Sequence, residues 1–94
     1  MDKPTPNVYI GYFYDDKFNG NGILFNDKGK FDGTFMDNKK SGFGTFYFKN
    51  GVKFEGTYLD NKKNGIGRIS NPQGKVILTG KWNNDEPPSQ DEPE

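Results

Sequence analysis

Aromatic and apolar residues alternate with polar residues and glycine in short runs along this chain. In the run that begins at Tyr9, alternate positions carry Tyr9, Gly11 and Phe13, while Ile10 and Tyr12 fall between them. Alternation with period two is typical of a β-strand that presents two different faces. No segment shows a helical period, so the pattern predicts an all-β protein.

The alternating runs recur at a regular interval. The stretch from Phe31 to Lys53 has near copies that begin at Tyr9 and Phe54, and a partial fourth copy begins at Leu78. All 13 glycines of the chain fall at equivalent positions of this repeat. A period of this length indicates an array in which each unit packs on its neighbours.

Each repeat contains two alternating runs, separated by turn residues. Asp37-Asn38 suits a tight turn within a repeat, and Asn50-Gly51 signals a hairpin between repeats in which both residues have positive φ. We therefore expect a single-layer antiparallel meander sheet of about seven strands, elongated and curved, with one β-hairpin per repeat. The predicted strands are residues 8–14, 20–26, 30–36, 42–48, 53–59, 65–71 and 75–82.

The same pattern divides the chain into three parts. Residues 1–8 are expected to be a loose lead-in, residues 9–84 the repeat sheet, and residues 85–94 a disordered acidic and proline-rich tail. The last strand, Val76–Trp82, would end without its hairpin partner, and the prolines and acids after it would hinder edge-to-edge pairing.

The strand glycines predict the position of the core. Glycine weakens a strand interior, so its recurrence there needs a reason, and space for neighbouring rings is the reason we infer. Strand register then aligns the aromatic residues into ladders across one face, with favourable cross-strand contacts. This structural ladder consists of Tyr9, Gly11, Phe13, Phe31, Gly33, Phe35, Phe54, Gly56, Tyr58, Gly80 and Trp82.

The other face is richest in apolar residues near the N-terminus. A single sheet has no second layer to cover them, and an exposed apolar patch usually marks a contact site. The alternative is that curvature folds these side chains onto one another. The predicted partner-binding residues are Tyr12, Tyr14, Phe25, Phe43 and Tyr47.

Two lysine pairs, Lys39-Lys40 and Lys62-Lys63, stand at equivalent positions after the turns of successive repeats. A row of lysines could bind anionic lipid or phosphate. The alternative is a row of solvated turn side chains.

Composition excludes several kinds of chemistry. The chain has no histidine and no cysteine, so it has neither imidazole nor thiolate chemistry and no disulfides. The acids form no facing pair and no calcium-loop spacing. We therefore expect no enzyme, no cofactor and no metal site.

Charge and hydropathy bear on partners and location. Thirteen basic and 13 acidic residues give a net charge of zero, which argues against strong nucleic-acid binding. No signal pattern and no apolar run of membrane-spanning length occur, so we expect a cytoplasmic protein.

The pattern aromatic-x-Gly-x-aromatic, turn, Gly-x-Gly, turn with glycine resembles the MORN repeat (membrane occupation and recognition nexus). Three full repeats and a partial fourth span residues 9–84. Leu78 departs from the family pattern in an aromatic position, and Asp16, Asn38 and Asn61 replace the usual turn glycine. The resemblance implies a hairpin-per-repeat sheet that scaffolds protein contacts, in some cases as dimers or near membranes.

The leading hypothesis is a non-catalytic module that binds another protein through an aromatic sheet face or an open strand edge. It would act as a scaffold, an adaptor or a small inhibitor, and so few repeats also favour a homodimer. The alternative is binding of anionic phospholipid through the lysine-bearing turns, which would place the protein at the membrane periphery. Carbohydrate binding is disfavoured because Trp82 is the only tryptophan.

Overall fold

The computed structural model describes residues 7–88, and these residues form one seven-stranded antiparallel sheet and no helix. Each strand lies beside its neighbours in the chain, so the predicted all-β, single-layer meander is confirmed. The molecule measures 51 × 33 × 24 Å. The strands are β1 (Val8–Tyr14), β2 (Lys17–Asn26), β3 (Gly29–Met36), β4 (Lys39–Phe48), β5 (Lys53–Leu59), β6 (Lys62–Ser70) and β7 (Val76–Trp82).

The even-numbered strands begin three residues earlier than predicted, at Lys17, Lys39 and Lys62. The turns before them contain only two residues, and both have positive φ, as Asp37 (48°) and Asn38 (72°) show. Aspartate and asparagine tolerate this left-handed conformation better than most residues. Two positive φ angles define the type I′ hairpin turn, whose twist matches that of the flanking strands.

Each of these hairpins contains a bulge. In the first hairpin Gly11 pairs with Gly22 and Phe13 pairs with Phe18, so Tyr12 faces three residues of β2. The expectation that every Gly-x-Gly glycine makes room for a ring is therefore wrong for the first glycine of each pair. These glycines have positive φ, which the bulge requires; they are Gly20, Gly42 and Gly65.

The turn between repeats two and three also differs from the prediction. Gly51 has a φ of 94°, but Asn50 is not among the residues with positive φ. The Gly51 amide donates a hydrogen bond to the Phe48 carbonyl over 3.0 Å. This is the three-residue loop in which a type I turn is followed by one left-handed glycine.

One face of the sheet carries the core, and we call it the ladder face. A Cβ atom added at Gly67 would lie 2.6 Å from Cζ of Phe54, so at this second glycine of a pair the ring does need the space. The other side of the sheet is called the opposite face below. The buried hydrophobic residues of the ladder face are Phe31, Phe35, Phe46, Phe54, Tyr58 and Trp82.

The rings of the ladder face interlock between repeats. The first aromatic residue of each repeat packs edge-to-face on the second aromatic residue of the next repeat, a geometry that aromatic pairs prefer. The ring centres are 5.2 Å apart for Tyr9 and Phe35, 5.0 Å for Phe31 and Tyr58, and 4.9 Å for Phe54 and Trp82.

Phe13 is an exception to the predicted core, because 60% of its surface is exposed. Its equivalents Phe35, Tyr58 and Trp82 each receive a ring from the preceding repeat, whereas β1 is the first strand of the sheet. Among the aromatic rings of residues 7–88, Phe13 packs only on those of Tyr9 and Phe18, both in its own repeat.

The folded structure continues beyond the predicted boundary at residue 84. Asn84 and Asp85 form another turn with positive φ, and Asn83 pairs with Glu86. Pro88 lies against Gly80, since a Cβ atom added there would be 2.7 Å from the proline ring. Residues 85–88, which the sequence assigned to the tail, are thus part of the fold. Of the predicted lead-in (residues 1–8) and tail (residues 85–94), residues 1–6 and 89–94 lie outside the described part of the chain.

Candidate functional site

The opposite face carries all five residues that were predicted to bind a partner, and all are exposed. Alternation along the strands directs them away from the buried rings. The structure therefore does not show the alternative in which these side chains bury one another. Their exposed fractions are 69% for Tyr12, 75% for Tyr14, 37% for Phe25, 59% for Phe43 and 40% for Tyr47.

Two of the five, Phe25 and Tyr47, lie in one row across the strands with Lys30 between them. Lys30 pairs with Phe25 on one side and with Tyr47 on the other. Its Nζ atom is 5.1 Å from the centre of the Tyr47 ring, a cation–π distance. These three residues, with Asn26, Gly29 and Lys49, line a cleft of about 380 Å³.

Sequence reasoning did not identify Lys30 and Lys49 as site residues. Each is one of many lysines in the chain, and no local motif separates them from the others. Their place beside the two aromatic rings depends on the register between β2, β3 and β4. That register follows from turn types that the sequence did not fully predict.

Phe43 lies in a separate groove of about 290 Å³. Ile66 lines the same groove, and Glu55 and Arg68 form an ion pair in its wall with a 3.1 Å distance between Oε1 and Nε. The pair is partly exposed and so contributes little to stability. Phe43 thus does not share a cleft with Phe25 and Tyr47.

Tyr12 and Tyr14 belong to β1, which pairs only with β2 within residues 7–88. On its outer side the backbone amides and carbonyls therefore have no strand partner in the described part of the chain. Val8 and Ile10 of the same strand are also exposed. The sequence had placed the open edge at β7, but there Pro88 lies against Gly80, which leaves β1 as the more accessible edge.

The four predicted lipid-binding lysines do not share a surface. They lie on strands rather than in turns, and Lys39 and Lys62 face away from the ladder, opposite Met36 and Leu59. The other two, Lys40 and Lys63, lie on the ladder face, each 5.2 Å from a ring centre, that of Phe31 and that of Phe54 respectively.

Burial and charge perturb two side chains of the ladder face. Burial lowers the pKa of Lys40, the nearby charge of Lys63 lowers it further, and Asp85 acts in the other direction. Burial also raises the pKa of Tyr58, and Asp85 adds to this. These groups are packed against rings, and neither is freely available to an external ligand.

Side-chain hydrogen bonds join successive repeats at the turns, and the sequence analysis missed them. Oδ1 of Asn61 accepts from the Lys40 amide over 2.8 Å, and the Asn61 amide donates to the Lys40 carbonyl over 3.1 Å. Asn38 makes the same pair of bonds with Phe18, and Asp85 with Lys63. The feature of the sequence that could have indicated these hydrogen bonds was the replacement of the usual turn glycine by asparagine or aspartate.

The described residues contain no group of three or more acidic side chains that could hold a metal ion, and no helix long and apolar enough to span a bilayer. A family model described as the MORN repeat matches the chain at residues 9–30, 31–53 and 54–76. These ranges coincide with the three full repeats that begin at Tyr9, Phe31 and Phe54. No curated protein sequence matches the chain significantly.

Proposed function

Because the chain belongs to the MORN-repeat family, we propose that it is a module that binds another protein, as a scaffold, an adaptor or a small inhibitor. MORN repeats are generally associated with protein or membrane binding, and the repeat fold is generally non-catalytic. The choice between these two classes of partner rests on the surfaces of this chain.

The observation that carries the proposal is the exposed apolar surface at the N-terminal end of the opposite face. Val8 pairs with Phe25 and Ile10 pairs with Ile23, so apolar side chains stand next to one another rather than singly. Tyr47 extends this surface beyond Lys30. Burial of such a surface by a partner is favourable at about 25 cal/mol per Å² of apolar area.

The lysines predicted to bind lipid give the membrane alternative less support. Two of them are directed to each face, and acids stand beside them in every turn. Asp60, for example, directly precedes the turn residue Asn61 and the pair Lys62-Lys63. A membrane surface would therefore meet no continuous positive row there.

The outer side of β1 offers a second way to bind a protein. A partner strand added there would satisfy the free backbone groups and would lie beside the exposed Tyr12 and Tyr14, as in other cases of strand addition. A second copy of the chain could supply that strand. Light scattering over a range of concentrations tests this mode, since β1 pairing predicts a concentration-dependent dimer.

The test of the proposal compares three forms of the full chain as baits for proteins of its source organism. They are the wild type, the double variant F43S/Y47S, and L59S, which removes an exposed apolar side chain from the same face nearer the C-terminus. We expect at least one protein, identified by mass spectrometry, to bind the wild type and L59S and to be lost with F43S/Y47S.

Circular dichroism melts of the three forms serve as the folding control. Because Phe43 and Tyr47 are exposed, their replacement should shift the melting temperature by only a few degrees. If F43S/Y47S remains folded and retains the same proteins, this face is not the contact surface. An activity assay of the captured protein then separates an inhibitor from a passive scaffold.

A further inference from the structure

Charged side chains are distributed unevenly between the two ends of the strands. The turn end carries the two-residue turns, such as Asp37-Asn38, and the loop end carries the longer connections between repeats. Within residues 7–88 the turn end has five lysines and six acids: Lys17, Lys39, Lys40, Lys62, Lys63, Asp15, Asp16, Asp37, Asp60, Asp85 and Glu86. In the same part of the chain the loop end has five lysines and one acid, a net charge of +4: Lys28, Lys30, Lys49, Lys53, Lys75 and Asp27.

The positive loop end surrounds the cleft between Phe25 and Tyr47. The Lys49 amide donates to the Lys28 carbonyl over 3.2 Å, so the first two loops are adjacent. Lys30 and Lys49 line the cleft itself. Lys53 pairs with Tyr47 across β4 and β5.

Aromatic and basic side chains alternate across the strands in this region. The row on the opposite face runs through Phe25, Lys30, Tyr47 and Lys53, each on the next strand. Neighbouring strands are about 4.8 Å apart, so Phe25 and Tyr47 stand about 10 Å apart along the row. A peptide in the polyproline II conformation has three residues per turn and rises about 3.1 Å per residue, so its side chains three positions apart lie on one side and span nearly the same distance.

From this arrangement we propose that the cleft binds an acidic linear peptide of a partner protein. Apolar side chains three residues apart contact Phe25 and Tyr47, and carboxylates between and beside them pair with Lys30 and Lys49. Charge-assisted hydrogen bonds of this kind are stronger than neutral ones. The inference rests on the proposed function and names the chemistry of its partner.

The lining of the cleft favours a peptide over a membrane surface. Two exposed aromatic rings border the cleft of about 380 Å³, and each offers a surface on which an apolar side chain can pack. An anionic headgroup would pair with the lysines but would leave both ring surfaces uncovered. Lys30 and Lys53 are also directed to the opposite face, not along the loop end where a flat membrane would meet them.

The experiment uses fluorescence anisotropy with the full chain and a labelled ten-residue peptide. The peptide carries two phenylalanines three positions apart and acidic residues elsewhere, and a control peptide has glutamine in place of every acid. The test variant is K30Q/K49Q. The matched control is K39Q/K62Q, which removes the same charge from the turn end.

We expect the acidic peptide to bind the wild type and K39Q/K62Q with affinities within about twofold of each other. Loss of two charge-assisted contacts should weaken binding to K30Q/K49Q by about tenfold or more. The glutamine peptide should bind at least about tenfold more weakly than the acidic one. Amide NMR shifts on titration should be largest at Phe25, Lys30 and Tyr47.

Several results would overturn the inference. Equal losses of peptide affinity in the two double variants would mean that net charge alone attracts the peptide. If the wild type did not bind the acidic peptide, the cleft would not be a peptide-binding site. If K30Q/K49Q instead abolished binding to vesicles of phosphatidylcholine with phosphatidylserine while no form bound peptide, the loop end would serve a membrane. The proposed function fails separately, when F43S/Y47S retains every captured protein.

Discussion

The first and third repeats share one pattern of glycines and aromatic residues, yet they differ in how well that pattern is buried. In the third repeat Phe54 and Tyr58 are buried, and Trp82 of the next repeat covers Phe54. In the first repeat Tyr9 is only partly buried and Phe13 is exposed. The same sequence unit is therefore well buried toward the C-terminal end of the sheet and poorly buried at the N-terminal end. We call these the closed end and the open end.

The difference in burial arises because the aromatic residues of each repeat are partly covered by side chains of the neighbouring repeats. The second aromatic residue receives a ring from the repeat before it, and no repeat precedes the first one within residues 7–88. At the other end Asp85 and Pro88 continue the contacts of the array, Asp85 to Lys63 and Pro88 to Gly80. The open end is also where the exposed apolar surface of the opposite face lies, so the less buried repeat carries the proposed binding surface.

One position shows how far the repeats have diverged. Phe18 occupies the place that Lys40 and Lys63 occupy later, and it stacks on Tyr9 with ring centres 3.7 Å apart. The first repeat thus covers its ring with another ring, and the later repeats cover theirs with a lysine. A lysine in that place carries the cost of partial burial, which the lowered pKa of Lys40 reflects.

The largest expected contrast is between the two ring deletions F54A and F13A. Phe54 is buried, and removal of a buried phenylalanine costs about 3–5 kcal/mol. Phe13 is mostly exposed, so its loss should cost less than about 1 kcal/mol. Urea unfolding followed by circular dichroism measures both, and similar losses at the two sites would contradict the burial gradient.

A smaller contrast is expected between the turn variants N61G and D16G. Glycine accepts positive φ at both positions, so the backbone effect is matched. Only Asn61 accepts a hydrogen bond from another repeat, whereas within residues 7–88 the side chain of Asp16 accepts no comparable bond. We expect N61G to be less stable than D16G by about 1 kcal/mol.

The same urea titration decides this case. If N61G and D16G had equal free energies of unfolding, the asparagine contact between repeats would not contribute to stability.

The smallest effect is expected in the pH dependence. Burial raises the pKa of Tyr58 in the folded state above the value of 10.0 for a free tyrosine. As the pH rises through 10, the unfolded chain loses this proton while the folded chain keeps it, so stability falls. The lowered pKa of Lys40 acts in the opposite direction, because the folded state releases that proton first.

Melting temperatures of the wild type and Y58F between about pH 9 and about pH 11 test this prediction. The wild type should lose stability more steeply than Y58F over that range. The matched control is Y14F, which removes the hydroxyl group of an exposed tyrosine. Equal slopes for all three proteins would show that Tyr58 ionises as freely as a surface tyrosine.

The repeat, the single layer and the strand order could be read from the sequence, because glycine and aromatic positions recur with period two inside each unit. The length of the turns could not, since Asp37-Asn38 suits turns of several kinds and only the structure shows both residues at positive φ. The exposure of Phe13 was also hidden, because Phe13 and Phe35 have the same local pattern and differ only in their place in the array.

The candidate site was predicted in part. The alternation of polar and apolar residues indicated that Phe25 and Tyr47 lie on one face, and the structure places them in one row. The convergence of Lys30 and Lys49 on that row was not predictable, because it depends on the pairing of strands whose starts were misplaced by three residues. Charge segregation between the two ends of the strands becomes visible only once those turns are assigned.

The most direct test of the gradient from an open to a closed end is native-state amide hydrogen exchange of the full chain. We predict that the amides of β5 and β6 exchange only through global unfolding, whereas those of β1 exchange through local opening, at least about a hundredfold faster. Equal protection of β1 and β6 would contradict the account. It would mean that the first repeat is as closed as the third, or that the outer side of β1 is already paired with another chain.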